Sequence, residues 1–214
     1  MSEILPELSR QLRNRLALPL PGMEAQLKMA HTERRLNTTR IKIPANALHG
    51  AVLILLYEED EQIFFPLIER PDYDGVHSGQ LALPGGRFEL TDITYQQTAL
   101  REAQEEIGIL TRDVDIIGEL SEMYIPPSNY IVHPFIGVLP YKPLLFPDER
   151  EVKNILEVNL EVILDEKQVK EKDLKVSSGL TIRTPYIDIQ GQTLWGATAM
   201  MLSELKSVLY EIGY

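Results

Sequence analysis

Apolar residues recur at helical spacing near the start of the chain. Leu5, Leu8, Leu12 and Leu16 lie three and four apart, with Arg10 and Arg13 between them. This predicts a short amphipathic helix to about residue 16, packed on the rest of the protein, until Pro19 and Pro21-Gly22 break the chain. His31 to Ile43 is polar and basic, with Arg34, Arg35, Arg40 and Lys42 close together. It reads as a solvated linker, with an anion-binding arm as the sharper alternative. From Ala51 the pattern changes. AVLILLYEED and QIFFPLIERP read as two strands joined by an acidic turn. Gln80 to Leu83 is a further short strand, ended by Pro84-Gly85-Gly86, and Thr94 to Ile107 is a clear helix stopped by Gly108.

Asp113 to Met123 and Ile131 to Leu139 predict strands around a Pro-Pro-Ser-Asn turn. Val152 to Leu164 alternates imperfectly, as a strand or a strand followed by a helix. Lys175 to Arg183 and Tyr186 to Ile189 suggest a hairpin around Thr184-Pro185. Leu194 to Ile212 is a final helix with Ala197, Met201, Leu205, Val208 and Leu209 along one face. Strands mixed with few helices predict an α+β fold built on a mixed sheet. The expected division is an N-terminal helix and basic arm over residues 1–44, packed on a domain spanning residues 45–214.

Composition narrows the function. The chain has 214 residues, no cysteine and a formal net charge of −11. Disulfides, thiol nucleophiles and cysteine-ligated zinc are excluded. An acidic balance argues against binding to a nucleic-acid backbone. It permits a small anionic substrate if a metal ion or local arginines neutralise the charge. The longest apolar run, Val52 to Tyr57, is too short to span a bilayer, and the N-terminus lacks the apolar core of a signal peptide. The expectation is a cytoplasmic protein with no membrane and no nucleic-acid partner. Whether it forms a homodimer is left open.

The chemistry concentrates between Gly85 and Ile109. Glu102, Glu105 and Glu106 are spaced i, i+3 and i+4, so a helix brings them to one side with Arg101 beside them. An exposed acidic helix would also tolerate this, because each like-charge pair costs only about 0.2–0.5 kcal/mol. Leu100, Ala103 and Ile107 flank the acidic row, however, and would anchor the helix so that the carboxylates face a cleft. Upstream, Gly85-Gly86 ends a strand, where a backbone without side chains can approach a ligand and offer a carbonyl oxygen. Hard oxygen donors without cysteine or histidine suit Mg2+ or Mn2+. Such an ion binds and polarises a diphosphate.

This segment resembles the Nudix box, G-x5-E-x7-R-E-U-x-E-E-x-G-U, where U is apolar. Arg101, Glu102, Ala103, Glu105, Glu106, Gly108 and Ile109 match every specified position of its right half. The left half departs. Asp92 stands where the pattern has Glu, and eight residues rather than seven precede Arg101. Glu89 is a second candidate for that acid. Just upstream, IERPDYDGVHSGQLALPGG is similar to the signature of the coenzyme A pyrophosphatase branch. Arg70, Gly79, Pro84, Gly85 and Gly86 fall in register, while Gly75 replaces the signature's second arginine. The asparate-for-glutamate change and extra residue also look like that branch.

The resemblance implies a Nudix-type α/β/α sandwich and metal-dependent hydrolysis of a diphosphate linkage. For that branch the products are 3′,5′-ADP and 4′-phosphopantetheine. Other nucleoside diphosphate derivatives, such as ADP-ribose or NADH, and a non-catalytic nucleotide-binding module are the alternatives. The implied roles are Glu102 and Glu106 as metal ligands, Glu105 as a third ligand or general base, and Gly85 as a carbonyl ligand. Arg101 would hold the carboxylates, paired with Asp92 or Glu89. Arg70, Gly86 and Ser128 are candidate substrate contacts. Trp195 is expected to pack the final helix rather than stack on a base. His77 and His133 read as structural or solvent-facing, and His49 is assigned no role.

Overall fold

The computed structural model describes residues 2–37, 42–71, 79–176 and 179–214. The N-terminal stretch forms α1 (Ile4–Leu16), α2 (Gly22–Gln26) and α3 (Thr32–Leu36). Then come β1 (Leu48–Glu59), β2 (Gln62–Glu69), β3 (Leu81–Ala82), β4 (Gly85–Arg87) and α4 (Tyr95–Ile107). They are followed by β5 (Asp115–Glu119), β6 (Met123–Ile125), β7 (Tyr130–Val138), β8 (Asn154–Asn159) and α5 (Glu161–Leu164). The chain ends with β9 (Val169–Lys175), β10 (Thr181–Ile189), β11 (Gln192–Leu194) and α6 (Gly196–Glu211).

The main sheet runs β3-β2-β1-β7-β5, with β4 pairing β1, β6 pairing β7 and β8 pairing β2. β1 and β7 are parallel, and the other pairs in this sheet are antiparallel. The alternation of side chains along β1 then separates two cores. Ala51, Leu53, Leu55 and Tyr57 pack with Ala99, Ala103 and Ile107 of α4. Ile54 and Leu56 face the opposite layer, with Leu5, Leu8 and Leu12 of α1 and Leu202, Leu205 and Leu209 of α6. The sheet is buried on both faces, which explains why β1 reads as an almost unbroken apolar run. The result is the expected mixed sheet between helical layers.

Two features fix α4. Thr94 accepts a hydrogen bond from the Gln97 backbone N–H at its N-terminus, while Gln97 Oε1 accepts one from Ile93 N–H. Gly108 closes the C-terminus at φ 74°, and its N–H donates to Gln104 O. The chain after β7 continues this anchoring. Phe146 N–H donates to Ile107 O at 3.0 Å and Asp148 N–H to Glu106 O at 3.1 Å. The strap from residue 146 to residue 152 therefore uses the helix-end carbonyls that would otherwise lack partners.

Several elements differ from the sequence reading. Thr184-Pro185 does not turn the chain. It lies inside β10, where Pro185 is opposite Glu171 of β9. The third strand of this sheet, β11, covers only Ile187 to Ile189. At Pro185 one edge of β10 is therefore unpaired, and the missing N–H need not break a ladder. The residues from 113 to 123 split into β5 and β6, with the register shifting between Ile116 and Gly118. Residues 152–164 take the second of the two expected forms, strand then helix, β8 and α5. The last helix starts at Gly196, because Leu194 pairs in β11 and Trp195 is extended.

The N-terminal region is tied to the sandwich by specific bonds. Buried Glu204 of α6 accepts from Gly22 N–H at 2.9 Å, Gln26 Nε2 at 2.9 Å and Ser121 Oγ at 2.7 Å. Arg34 Nη2 donates to Tyr124 O and Arg35 Nε to Ala30 O, both at 2.7 Å. These two arginines spend their charge on backbone carbonyls rather than forming a loose basic arm. Arg40 lies outside the described residues. No helix among the described residues is long and apolar enough to cross a membrane.

Candidate active site

α4 and β4 bring the predicted residues together, but not symmetrically. Successive helical residues turn by about 100°, so Glu106 lies about 40° from Glu102, and Glu105 about 60° from it on the other side. Glu102 and Glu106 consequently turn inward to β4, and Glu105 turns out. Glu106 is 3% exposed, whereas the Glu105 side chain is 54% exposed. The single acidic face expected from the spacing is an inward pair, Glu106 buried and Glu102 partly so, with an exposed third member.

The glycines explain how two carboxylates reach a strand. Gly85 N–H donates to Glu106 Oε2 at 2.7 Å. Gly85 has φ 152°, and a Cβ there would overlap the Ala51 carbonyl. A Cβ on Gly86 would overlap the Glu102 carboxylate. Gly85-Gly86 is therefore a place where the helix carboxylates lie directly on the backbone.

Arg101 organises the remaining charges. Its Nε and Nη2 each donate at 3.0 Å to Asp92, one to either oxygen. Its Nη1 donates to Glu102 at 2.9 Å and Glu105 at 3.0 Å, and Nη2 also reaches Arg87 O at 3.0 Å. Asp92 Oδ2 further accepts from Thr98 Oγ1 at 2.9 Å and Glu89 N–H at 3.0 Å. These bonds, the Arg101 pair foremost, lower the Asp92 carboxyl to about 2. Asp92, rather than Glu89, is the partner of Arg101. The Glu89 side chain is exposed, and its contribution is a backbone N–H.

Burial works in the other direction on the inner pair. It pushes Glu106 up to about 8, against the Gly85 N–H and Arg70, which favour the charged form. Glu102 is also raised, by burial first, although Arg101 opposes the shift. Glu151 adds to both upward shifts. The spacing of the acidic helix gives no sign of Glu151. It arrives through the strap bonded to the carbonyls of Glu106 and Ile107.

Among the described residues, no three histidine or carboxylate side chains already converge as a closed ligand set. The inner pair nevertheless suits a divalent cation. It consists of hard oxygens, one buried and resisting its own charge, while Arg101 is engaged by Asp92.

The opposite side of Gly85-Gly86 borders a cleft of about 290 Å³. Arg70, Gly86 and Ser128 line it, with Arg87, Trp195 and Met201. Trp195, half-buried, precedes α6 as its N-cap and lines the cleft, a position that the packing expectation does not include. The three glutamates of α4 are absent from the cleft wall, and the two halves of the site meet at the glycine backbone. Gly75 and His77 lie outside the described residues.

His133 forms a separate aromatic cluster. His49 Nδ1 and His133 Nε2 are 3.1 Å apart, and the Tyr95 ring stacks on both imidazoles. The 17° angle and 5.4 Å centroid separation describe rings lying nearly in one plane and joined edge to edge. Burial lowers His133, with Glu122 opposing.

A NUDIX domain profile matches residues 47–177. The chain belongs to the Nudix family. It is 32% identical over 161 residues to an uncharacterized Nudix hydrolase, NudL, of Yersinia enterocolitica, covering 75% of this chain and 81% of that one. With NudL of Yersinia pestis it shares 29% identity over 206 residues, 96% of this chain and 97% of the relative. Solved structures show the same fold. A Nudix hydrolase of M. smegmatis, RenU, gives a TM-score of 0.55 at 17% identity, covering 78% of this chain and 88% of that one. An Ap4A hydrolase of C. elegans gives 0.53 at 14% identity, covering 77% and 98%. The protein is therefore a Nudix pyrophosphohydrolase, of a family that uses divalent metal ions.

Proposed function

We propose that this Nudix enzyme hydrolyses the diphosphate linkage of coenzyme A or its derivatives, releasing 3′,5′-ADP and 4′-phosphopantetheine. The observation that carries the reading is Arg70. It stands where the branch signature has its first arginine, it lines the cleft beside Gly85-Gly86, and its charge reaches Glu106. A diphosphate lying along the glycine backbone would share the cleft with Arg70 and Arg87.

Glu102 and Glu106 would hold Mg2+ or Mn2+, with the Gly85 carbonyl as a backbone ligand. When bound, the ion neutralises diphosphate charge and lowers the pKa of a water molecule. Arg101 keeps the Glu102 carboxylate in position, and Asp92 keeps Arg101 in position. Glu105 serves as third ligand or general base, and Glu151 is a further carboxylate close to the inner pair. Gly86 admits the Glu102 carboxylate to the backbone, and Ser128 offers a hydroxyl at the cleft wall.

A hydrolysis screen tests this reading. Purified protein with Mg2+ or Mn2+ is given CoA, acetyl-CoA, ADP-ribose, NADH and dATP, with EDTA controls and products identified by mass. Metal-dependent release of 3′,5′-ADP from CoA, ahead of the other substrates, is expected. Preference for ADP-ribose or NADH would retain the diphosphatase and refute the coenzyme A assignment.

A further inference from the structure

The cleft has two unlike walls. Its cations, Arg70 after β2 and Arg87 in β4, stand on the sheet side with the glycine strand. The facing α6 wall is Trp195, Ala197, Thr198 and Met201, without a charge. Thr198 is 8% exposed, and its hydroxyl makes no hydrogen bond among the described residues. A volume of about 290 Å³ is at the small end of ligand sites, enough for one part of a large substrate.

The two halves of a coenzyme A molecule differ in the same way as the walls. One is a neutral chain of methyl, methylene and amide groups ending in a thiol or thioester. The other is a base and ribose carrying a separate 3′-phosphate. Placing that phosphate against an uncharged wall would desolvate a dianion without a partner. The neutral chain meets no such penalty. Its amides can use the Thr198 hydroxyl, and its sulfur matches an aromatic and a thioether surface.

Resting on the coenzyme A reading, we propose that the α6 wall receives the pantetheine arm, and that Trp195 is the residue that reads the acyl group at its end. The 3′,5′-ADP half then extends away from α6, beyond the diphosphate.

Trp195 is the sole tryptophan of the chain, so its fluorescence reports on this wall directly. Metal-free wild-type protein is titrated with S-acetyl-4′-phosphopantetheine and, separately, with 3′,5′-ADP. A saturable change with the first and none with the second at equal concentration is expected. The reverse pattern would place the base on Trp195 and overturn the proposal, as would silence with both. Kinetics give a second readout. Burial of a methylene contributes up to about fourfold, so kcat/KM should rise several-fold from acetyl-CoA to butyryl-CoA. That rise should vanish in Trp195→Ala and survive in Trp195→Phe. A flat wild-type series, or a rise unchanged in Trp195→Ala, would refute the role of Trp195. If CoA is not hydrolysed at all, the substrate reading itself fails. If it is hydrolysed while Trp195 answers to 3′,5′-ADP, only the orientation fails.

Discussion

Replacing Asp92 by Ala should cost stability and activity together, by amounts that the structure sets. Asp92 is 8% exposed and accepts from Arg101, Thr98 and the Glu89 N–H. Its carboxyl lies at about 2 against an ordinary 3.8. That difference corresponds to about 2.4 kcal/mol at neutral pH by linkage. Solvent near Arg101, a quarter exposed, screens part of it and leaves about 1–2 kcal/mol. The loss should stay below the several kcal/mol typical of orphaning a buried charge, because Arg101 keeps Glu102 and Glu105. Because folding lowers this pKa, its stabilisation is full above about pH 4 and disappears as pH falls through about 2. Urea denaturation followed by circular dichroism, at pH 7 and in steps to pH 3, measures the gap between wild type and variant. It should be widest at pH 7 and narrow below pH 4. A variant within 0.5 kcal/mol of wild type at pH 7, or a gap that widens in acid, would refute the argument.

Glu106→Gln should retain the fold, since burial already disfavours the charge, and should lower metal-dependent turnover by about a hundredfold or more. Wild-type turnover would remove Glu106 from the reaction. Gly86→Ala should fold with a displaced Glu102 carboxylate and show weaker metal binding by calorimetry; an unchanged affinity would show that Glu102 need not touch the strand. Arg70→Ala should raise KM if its contact is shared by ground and transition states, or lower kcat if the contact forms mainly in the transition state. If neither parameter moves, Arg70 makes no substrate contact. His133, lowered by burial, resists protonation in the fold, so it contributes stability that is lost as pH falls below about 6.5. Melting curves of wild type and His133→Gln between pH 7.5 and 5 should converge in acid, and parallel curves would contradict this.

The sequence is most readable where one physical period governs. α4 carries a cap, an apolar stripe and a terminal glycine, so its limits follow from local rules. β1 and β2 are apolar runs joined by an acidic turn, which reads as a pair of strands, and both faces of that pair are covered by helical layers. Pro185 misleads because proline is a turn signal only when both edges of a strand are needed, and β11 ends before it. Trp195 is not legible as a cleft residue, because a side chain just before a helix start can pack there and line a pocket at once. Glu151 is invisible for a different reason. It approaches Glu102 and Glu106 only because a strap some 45 residues downstream uses the carbonyls at the end of their helix. Nothing in the spacing of residues 85 to 109 encodes that meeting.

The two departures from the family pattern offset one another. An aspartate is one methylene shorter than a glutamate, so in place of the expected acid it would fall short of Arg101. The extra residue lies between Asp92 and Arg101, where it lengthens the lead into α4; on the other side of Asp92 the chain forms a tight turn. Asp92 N–H donates to Glu89 O, while Glu89 N–H donates back to Asp92 Oδ2, both at 3.0 Å. The turn carries the shorter acid to the guanidinium, where each oxygen takes a bond at 3.0 Å. A glutamate placed at position 92 in this longer loop would have an additional methylene to accommodate beside buried Thr98. Asp92→Glu should therefore be less stable than wild type although it restores the family's residue. Deleting one loop residue at the same time should recover part of the loss. If Asp92→Glu matches or exceeds the wild-type denaturation midpoint, acid length and loop length are independent, and the clamp on Arg101 tolerates either.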